Sequence, residues 1–156
     1  MARGIPFVVA LFLVTACGSD SGPAGPGGSG TGSMSAMING QSWSATVTSG
    51  TVTSGGISVM AGSNAQYTLG IGWLDAGPRT HVIGPGDAGF NAGLTLQGST
   101  LADWRASLNQ GSGTMTITSQ TSSRITGTFS FTMPPTEHGG QTETVQVTGG
   151  VFDLSL

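Results

Sequence analysis

The chain has 156 residues, only 7% of them charged, with four arginines against seven acidic residues and no lysine. Phosphate backbones and anionic headgroups are recognised by clustered cations, so this composition argues against a nucleic-acid partner and against electrostatic docking on a membrane. One cysteine leaves no disulfide to staple the fold, and solubility falls to Ser, Thr, Asn, Gln and 28 glycines.

In chain order, Arg3 precedes an apolar run from Ile5 to Val14 and then small residues. That pattern predicts a secretory signal peptide over residues 1–16, too short to span a bilayer. Val14-Thr15-Ala16-Cys17 resembles the bacterial lipobox. The resemblance implies cleavage between Ala16 and Cys17 and lipidation of Cys17. Two or more acyl chains, at ~0.8 kcal/mol per buried CH2, would then hold the protein on a membrane. Gly18 follows the cysteine where an inner-membrane retention signal has Asp, which favours the outer membrane or cell surface within the cell envelope. Residues 17–33 form the lipidated Cys and a Gly/Ser/Pro tether without a large apolar residue, with a reach of about 20–25 Å. Residues 34–156 are expected to be a single β domain.

That domain opens with a hairpin. Asn39-Gly40 suits the positive φ angles of a two-residue turn, which sets Ile38 opposite Gln41, Ala36 opposite Trp43 and Met34 opposite Ala45. Gly55-Gly56 predicts a second hairpin with Val52 across from Val59. Tyr67, Leu69, Ile71 and Trp73 then alternate with Thr68, Gly70 and Gly72, giving a strand with one apolar face. The stretch from Asp75 to Asp87 is interrupted by Gly and Pro, and Arg79 to Ile83 reads as strand or loop. Phe90, Ala92, Leu94 and Leu96 share a face, as do Trp104, Ala106 and Leu108, with Asp103 and Arg105 projecting away.

The last third alternates most regularly. Met115 and Ile117 fall on one face, as do Ile125, Gly127, Phe129, Phe131 and Met133. A three-residue loop at Gln120 to Ser122 would set Ile117 against Ile125 and Met115 against Gly127. Gly149-Gly150 predicts a closing hairpin that pairs Val147 with Phe152 and Val145 with Leu154, and Leu156 completes the apolar row. With no helical crossover, these segments amount to an all-β fold, an antiparallel meander of about ten strands forming a sandwich or flattened barrel.

Four stretches carry a further likeness: Met37-Ile-Asn-Gly-Gln-Ser-Trp43, Gly111-Ser-Gly-Thr-Met-Thr-Ile-Thr118, Ile125-Thr-Gly-Thr-Phe-Ser-Phe131 and Val147-Thr-Gly-Gly-Val-Phe-Asp-Leu154. Together they resemble a group of bacterial lipoproteins classed as domains of unknown function. The resemblance implies an all-β fold and supplies no catalytic or binding residue.

The inventory for chemistry is thin. Glu137-His138 could bind a divalent metal only with a third ligand from elsewhere, and a solvated loop is the simpler reading. His81 with Asp75 or Asp87 could form an acid–base pair, but no nucleophile motif accompanies it. Asp87 among glycines lacks the several acids of a calcium loop. Trp43, Trp73, Trp104 and Tyr67 all fall on the apolar face, which favours the core over a carbohydrate-stacking platform, since the latter requires one of them to face outward. The sequence therefore predicts no catalytic residues, metal or cofactor. The expectation is a monomeric, non-enzymatic binding or structural module with a protein, polysaccharide or apolar small-molecule partner. The alternative is a small apolar-ligand carrier with a calycin-like barrel, its cavity lined by Trp104, Phe129 and Leu94.

Overall fold

A computed structural model describes residues 32–74, 77–99, 103–137 and 140–156. The signal peptide, Ala16, Cys17, the tether through residue 31, Asp75 and His138 lie outside the described residues. The strands are β1 (Gly32–Ile38), β2 (Gln41–Ser44), β3 (Val47–Thr51), β4 (Ile57–Ser63), β5 (Tyr67–Leu74), β6 (Thr80–Val82), β7 (Asn91–Leu96), β8 (Trp104–Ala106), β9 (Ser112–Gln120), β10 (Arg124–Met133) and β11 (Val145–Ser155). A 3-10 turn at Pro85–Asp87 joins β6 to β7. Two antiparallel sheets result, a six-stranded one in the order β2-β1-β11-β10-β9-β6 and a five-stranded one in the order β3-β4-β5-β7-β8. They form a sandwich, not a closed barrel. The apolar faces meet in one core that includes Met34, Trp43, Leu69, Trp73, Leu94 and Phe131, as the one-sided alternation of the strands requires.

The first hairpin has the expected register, with Ile38 opposite Gln41 and Ala36 opposite Trp43, and positive φ at both Asn39 and Gly40. The second is displaced by one residue: Thr51, not Val52, pairs with Val59. One step reverses the faces of a strand, so Ser58 is buried while Ile57 and Val59 point to solvent. Two features favour this parity over the more apolar one. The Ser58 hydroxyl accepts the Thr53 N–H at 3.0 Å, so its burial is compensated. Gly62 faces inward against Met34, Ala45 and the far edge of the Trp43 ring, where a Cβ would stand 2.8–3.1 Å from each.

Two further registers differ from expectation. β9 and β10 are joined through Thr121–Ser123, and a bulge near Thr126 and Gly127 sets Gly127 opposite Ile117 and Phe129 opposite Met115. The two-residue displacement preserves parity, so the predicted buried faces of both strands survive. The closing hairpin does not exist: β11 runs unbroken through Gly149-Gly150. Val147 pairs with Ile38 on one side and Phe131 on the other, and Phe152 with Met34 and Gly127. Gly149, at φ 59°, forms a bulge within a long central strand, and both neighbouring ladders shift register beside it. The last strand thus lies between the first and β10, which a simple meander would not produce. Asp103 is also buried where exposure was expected. Its carboxylate accepts the Leu96 N–H at 2.7 Å and the Ser99 hydroxyl at 3.4 Å, closing the β7–β8 loop.

In the six-stranded sheet, three phenylalanines each lie over a glycine on the neighbouring strand: Phe152 over Gly127, Phe129 over Gly150 and Phe131 over Gly113. A Cβ on any of these glycines would collide with the ring. The rings gain contact in turn, with Phe129 stacked on Phe131 at 5.7 Å and on Phe152 at 6.4 Å. The Gly-Thr-Phe-Ser-Phe and Gly-Gly-Val-Phe stretches are therefore packing motifs.

On the outer face of this sheet Arg124 forms a two-pronged ion pair with Asp153. The guanidinium hydrogen bond, supported by its charge, holds the Asp153 carboxyl below the usual carboxylate range. A carboxyl lowered by folding adds stability above its unfolded pKa and loses that contribution as pH falls through the folded value. The side chains are 63% and 41% exposed, so solvent screening keeps the effect small. Melting temperatures of wild type and Asp153→Asn should therefore differ slightly near neutral pH and converge in strong acid. Curves that stay parallel down to that range would show that the pair contributes nothing.

A candidate binding face on the five-stranded sheet

The reversed parity of β4 places Ile57, Val59 and Ala61 on the outer face of the five-stranded sheet. Ile57 is 66% exposed and Val59 48%. On β5 the apolar set Leu69, Ile71 and Trp73 is buried, which leaves Thr68, Gly70 and Gly72 on the outer side, where Gly72 is itself buried because the Asn91 side chain of β7 stands 3.3 Å from where its Cβ would be. The cross-strand pairs are Val59 with Gly72, Ala61 with Gly70, and Gly70 with Gly93 on β7. An aliphatic ridge on β4 therefore stands beside a short trough of bare backbone at Gly70 and Gly93, which the Asn91 side chain closes at Gly72. The hollow has a volume of about 460 Å³, and none of its lining residues is charged. A contiguous exposed apolar surface of this kind marks an interaction site more often than scattered single residues do. A Cβ at Gly70 would meet nothing within 4 Å, so the fold itself does not require glycine there.

The alternation of β5 suggested part of this face, since glycines occupy solvent-side positions where Thr is the ordinary strand residue. The ridge escapes the sequence because Gly55-Gly56 points to a hairpin with Val52 across from Val59, where the structure pairs Thr51 with Val59. The inward glycine at 62 was the available signal for the correct parity.

The structure gathers the residues named for the carrier reading, but not around an opening. Leu94, Phe129 and Trp104 are 0%, 4% and 7% exposed and belong to the common core. Trp104 is fixed there by an indole N–H donated to the Glu143 carbonyl at 2.8 Å, and Tyr67 packs edge-on against its ring at 6.3 Å. None of the three lines the hollow.

His81 and Asp87 do meet. The turn at Pro85–Asp87 brings the Asp87 carboxylate to 2.6 Å from His81 Nδ1, with Arg79 at 3.9 Å from the same oxygen. His81 is wholly buried, its ring lies 5.5 Å from that of Phe90, and Nε2 has no hydrogen-bond partner. An acid–base group must reach the proton it moves, and this imidazole is sealed from solvent. The pair fastens the 3-10 turn to β6. Glu137 is exposed, and among the described residues no three His, Cys, Asp or Glu side chains come together as metal ligands.

Neither a curated protein nor a solved structure is significantly similar to the chain. A family model described as a domain of unknown function, DUF6252, matches residues 30–153, beginning just ahead of β1 and ending within β11. With its β-sandwich almost wholly inside that match, the chain belongs to the DUF6252 family of domains of unknown function.

Proposed function

We propose that this protein is a lipid-anchored envelope lipoprotein whose sandwich acts as a non-enzymatic binding module. Cys17 carries the acyl chains, the segment ahead of Gly32, where β1 begins, is the tether, and the outer face of the five-stranded sheet is the binding surface. The observation behind the binding role is the uncharged hollow beside Ile57 and Val59, on a domain where Leu94, Phe129 and Trp104 belong to the packed core and the His81 imidazole is buried. The sequence around Cys17 supports the anchor.

Fatty-acid labelling and membrane fractionation in a bacterial host test the anchor. The full chain should incorporate label and sediment with membranes, while Cys17→Ser should remain unlabelled and keep its signal peptide. A Cys17→Ser protein that still labels and sediments would refute the lipoprotein reading.

A further inference from the structure

We infer that the ridge-and-trough face is the interface of a two-fold symmetric dimer of this chain. A symmetric interface uses the same patch twice, so the patch must complement itself. Here the complement lies one strand away. A two-fold axis parallel to β4 and β5, midway between them and just outside the sheet, places β4 of each copy over β5 of the other. Cross-strand partners share one height along the strands, and rotation about such an axis leaves height unchanged. Ala61 of one copy is therefore set over Gly70 of the other, Val59 over Gly72 and the Asn91 side chain that covers it, and Ile57 over the exposed Leu74. Ala61 enters the trough at Gly70, and Ile57 meets Leu74 as apolar on apolar, in both directions at once.

The flanking strands agree with this placement. The same rotation sets β3 over β7, bringing Ser49, which is level with Ala61, over Gly93. The edge strand β8 overhangs, so Arg105, the partner of Gly93 within the sheet, stays in solvent at the rim. No charged side chain lines the hollow, so a chain of net charge −3 meets its copy there without like-charge repulsion. The facing sheets run aligned, as in ordinary sandwich packing.

The overlap is modest. Four strands ~4.8 Å apart and about 20 Å long give a footprint of roughly 400 Å² per copy, below the ~800 Å² of a standard stable interface. Association in solution is therefore weak, and confinement strengthens it. An axis along the strands keeps both copies of Gly32 at one height, so the chains ahead of them leave toward the same membrane. Anchoring both copies there raises their effective concentration. This membrane step rests on the lipoprotein reading; the self-association in solution does not.

Each strand among the described residues pairs within one of the two sheets, so the chain from Gly18 onward can be studied without lipid. Sedimentation across a concentration series should show reversible dimerisation in or above the high-micromolar range. Val59→Arg should weaken it at least about tenfold, as loss of a central contact does. Gly70→Val should do the same by filling the trough, with no fall in melting temperature, because the added side chain meets open space. In membranes, cross-linking of the lipidated chain should yield dimers that both substitutions remove. A monomer in solution and in membranes overturns the proposal and assigns the face to a different protein, and so does a dimer that neither substitution weakens. Fatty-acid labelling of the same samples reports the anchor separately.

Discussion

Leu154→Asp should abolish the cooperative thermal transition. Leu154 is 1% exposed and sits on β11 between Ile125 of β10 and Gly32 of β1, so a carboxylate there has neither water nor a cation within the core. Such burial costs several kcal/mol even after relaxation, against a total stability of about 5–15 kcal/mol for a domain of this size. Val151→Asp is the matched control, because that residue lies on the same strand but is 48% exposed. Its melting temperature should stay close to that of the parent. Circular dichroism on both proteins is sufficient: a sharp transition in Leu154→Asp would mean that β11 is not the central strand described.

Gly127→Val should be the next most damaging change. The missing Cβ leaves room for the Phe152 ring and the Thr116 carbonyl oxygen, and both belong to strands hydrogen-bonded to β10 on either side. Neither can retreat without breaking a ladder. Overpacking at such a site costs about 3 kcal/mol or more, which lowers the melting temperature by roughly 10 °C. The contrast with Gly70→Val is informative, since both changes put the same side chain into a strand. Valine favours strands intrinsically, so the sign of each effect is decided by what stands above the glycine. Equal melting temperatures for the two variants would refute that account.

The fold class was legible because alternation reports which side of a strand is wet, and most strands here have one dry side. The first hairpin was legible to the residue because Asn39-Gly40 accepts only a narrow set of turn geometries. The glycine pair at 149 and 150 misled for the same reason. In sequence a positive-φ glycine in a bulge looks like one in a turn, and only the presence of β1 and β10 on both flanks decides between them. At Ile57-Ser58-Val59 hydrophobicity pointed the wrong way, because the demand for a glycine beneath Trp43 outweighed two aliphatic side chains. That reversal creates the candidate binding face, so the surface of most interest lies where local pattern and global packing disagree. His81 and Asp87 were found by residue type, but their burial depends on a turn whose packing no local pattern reports.

The placement of β1 has a mechanical consequence. It is hydrogen-bonded to β11 from Gly32 to Ile38 on one side and to β2 over Ser35 to Ile38 on the other, and the chain enters it at Gly32. A pull on the segment ahead of Gly32, directed along the strand, strains those bonds in shear, all together, instead of peeling them apart one at a time. Thr48 adds a lateral tie, its hydroxyl donating to the Gly32 carbonyl at 3.4 Å. Drag on the domain would therefore be met by the ladder as a whole, and rupture under force should be set by the first strand sliding past the last.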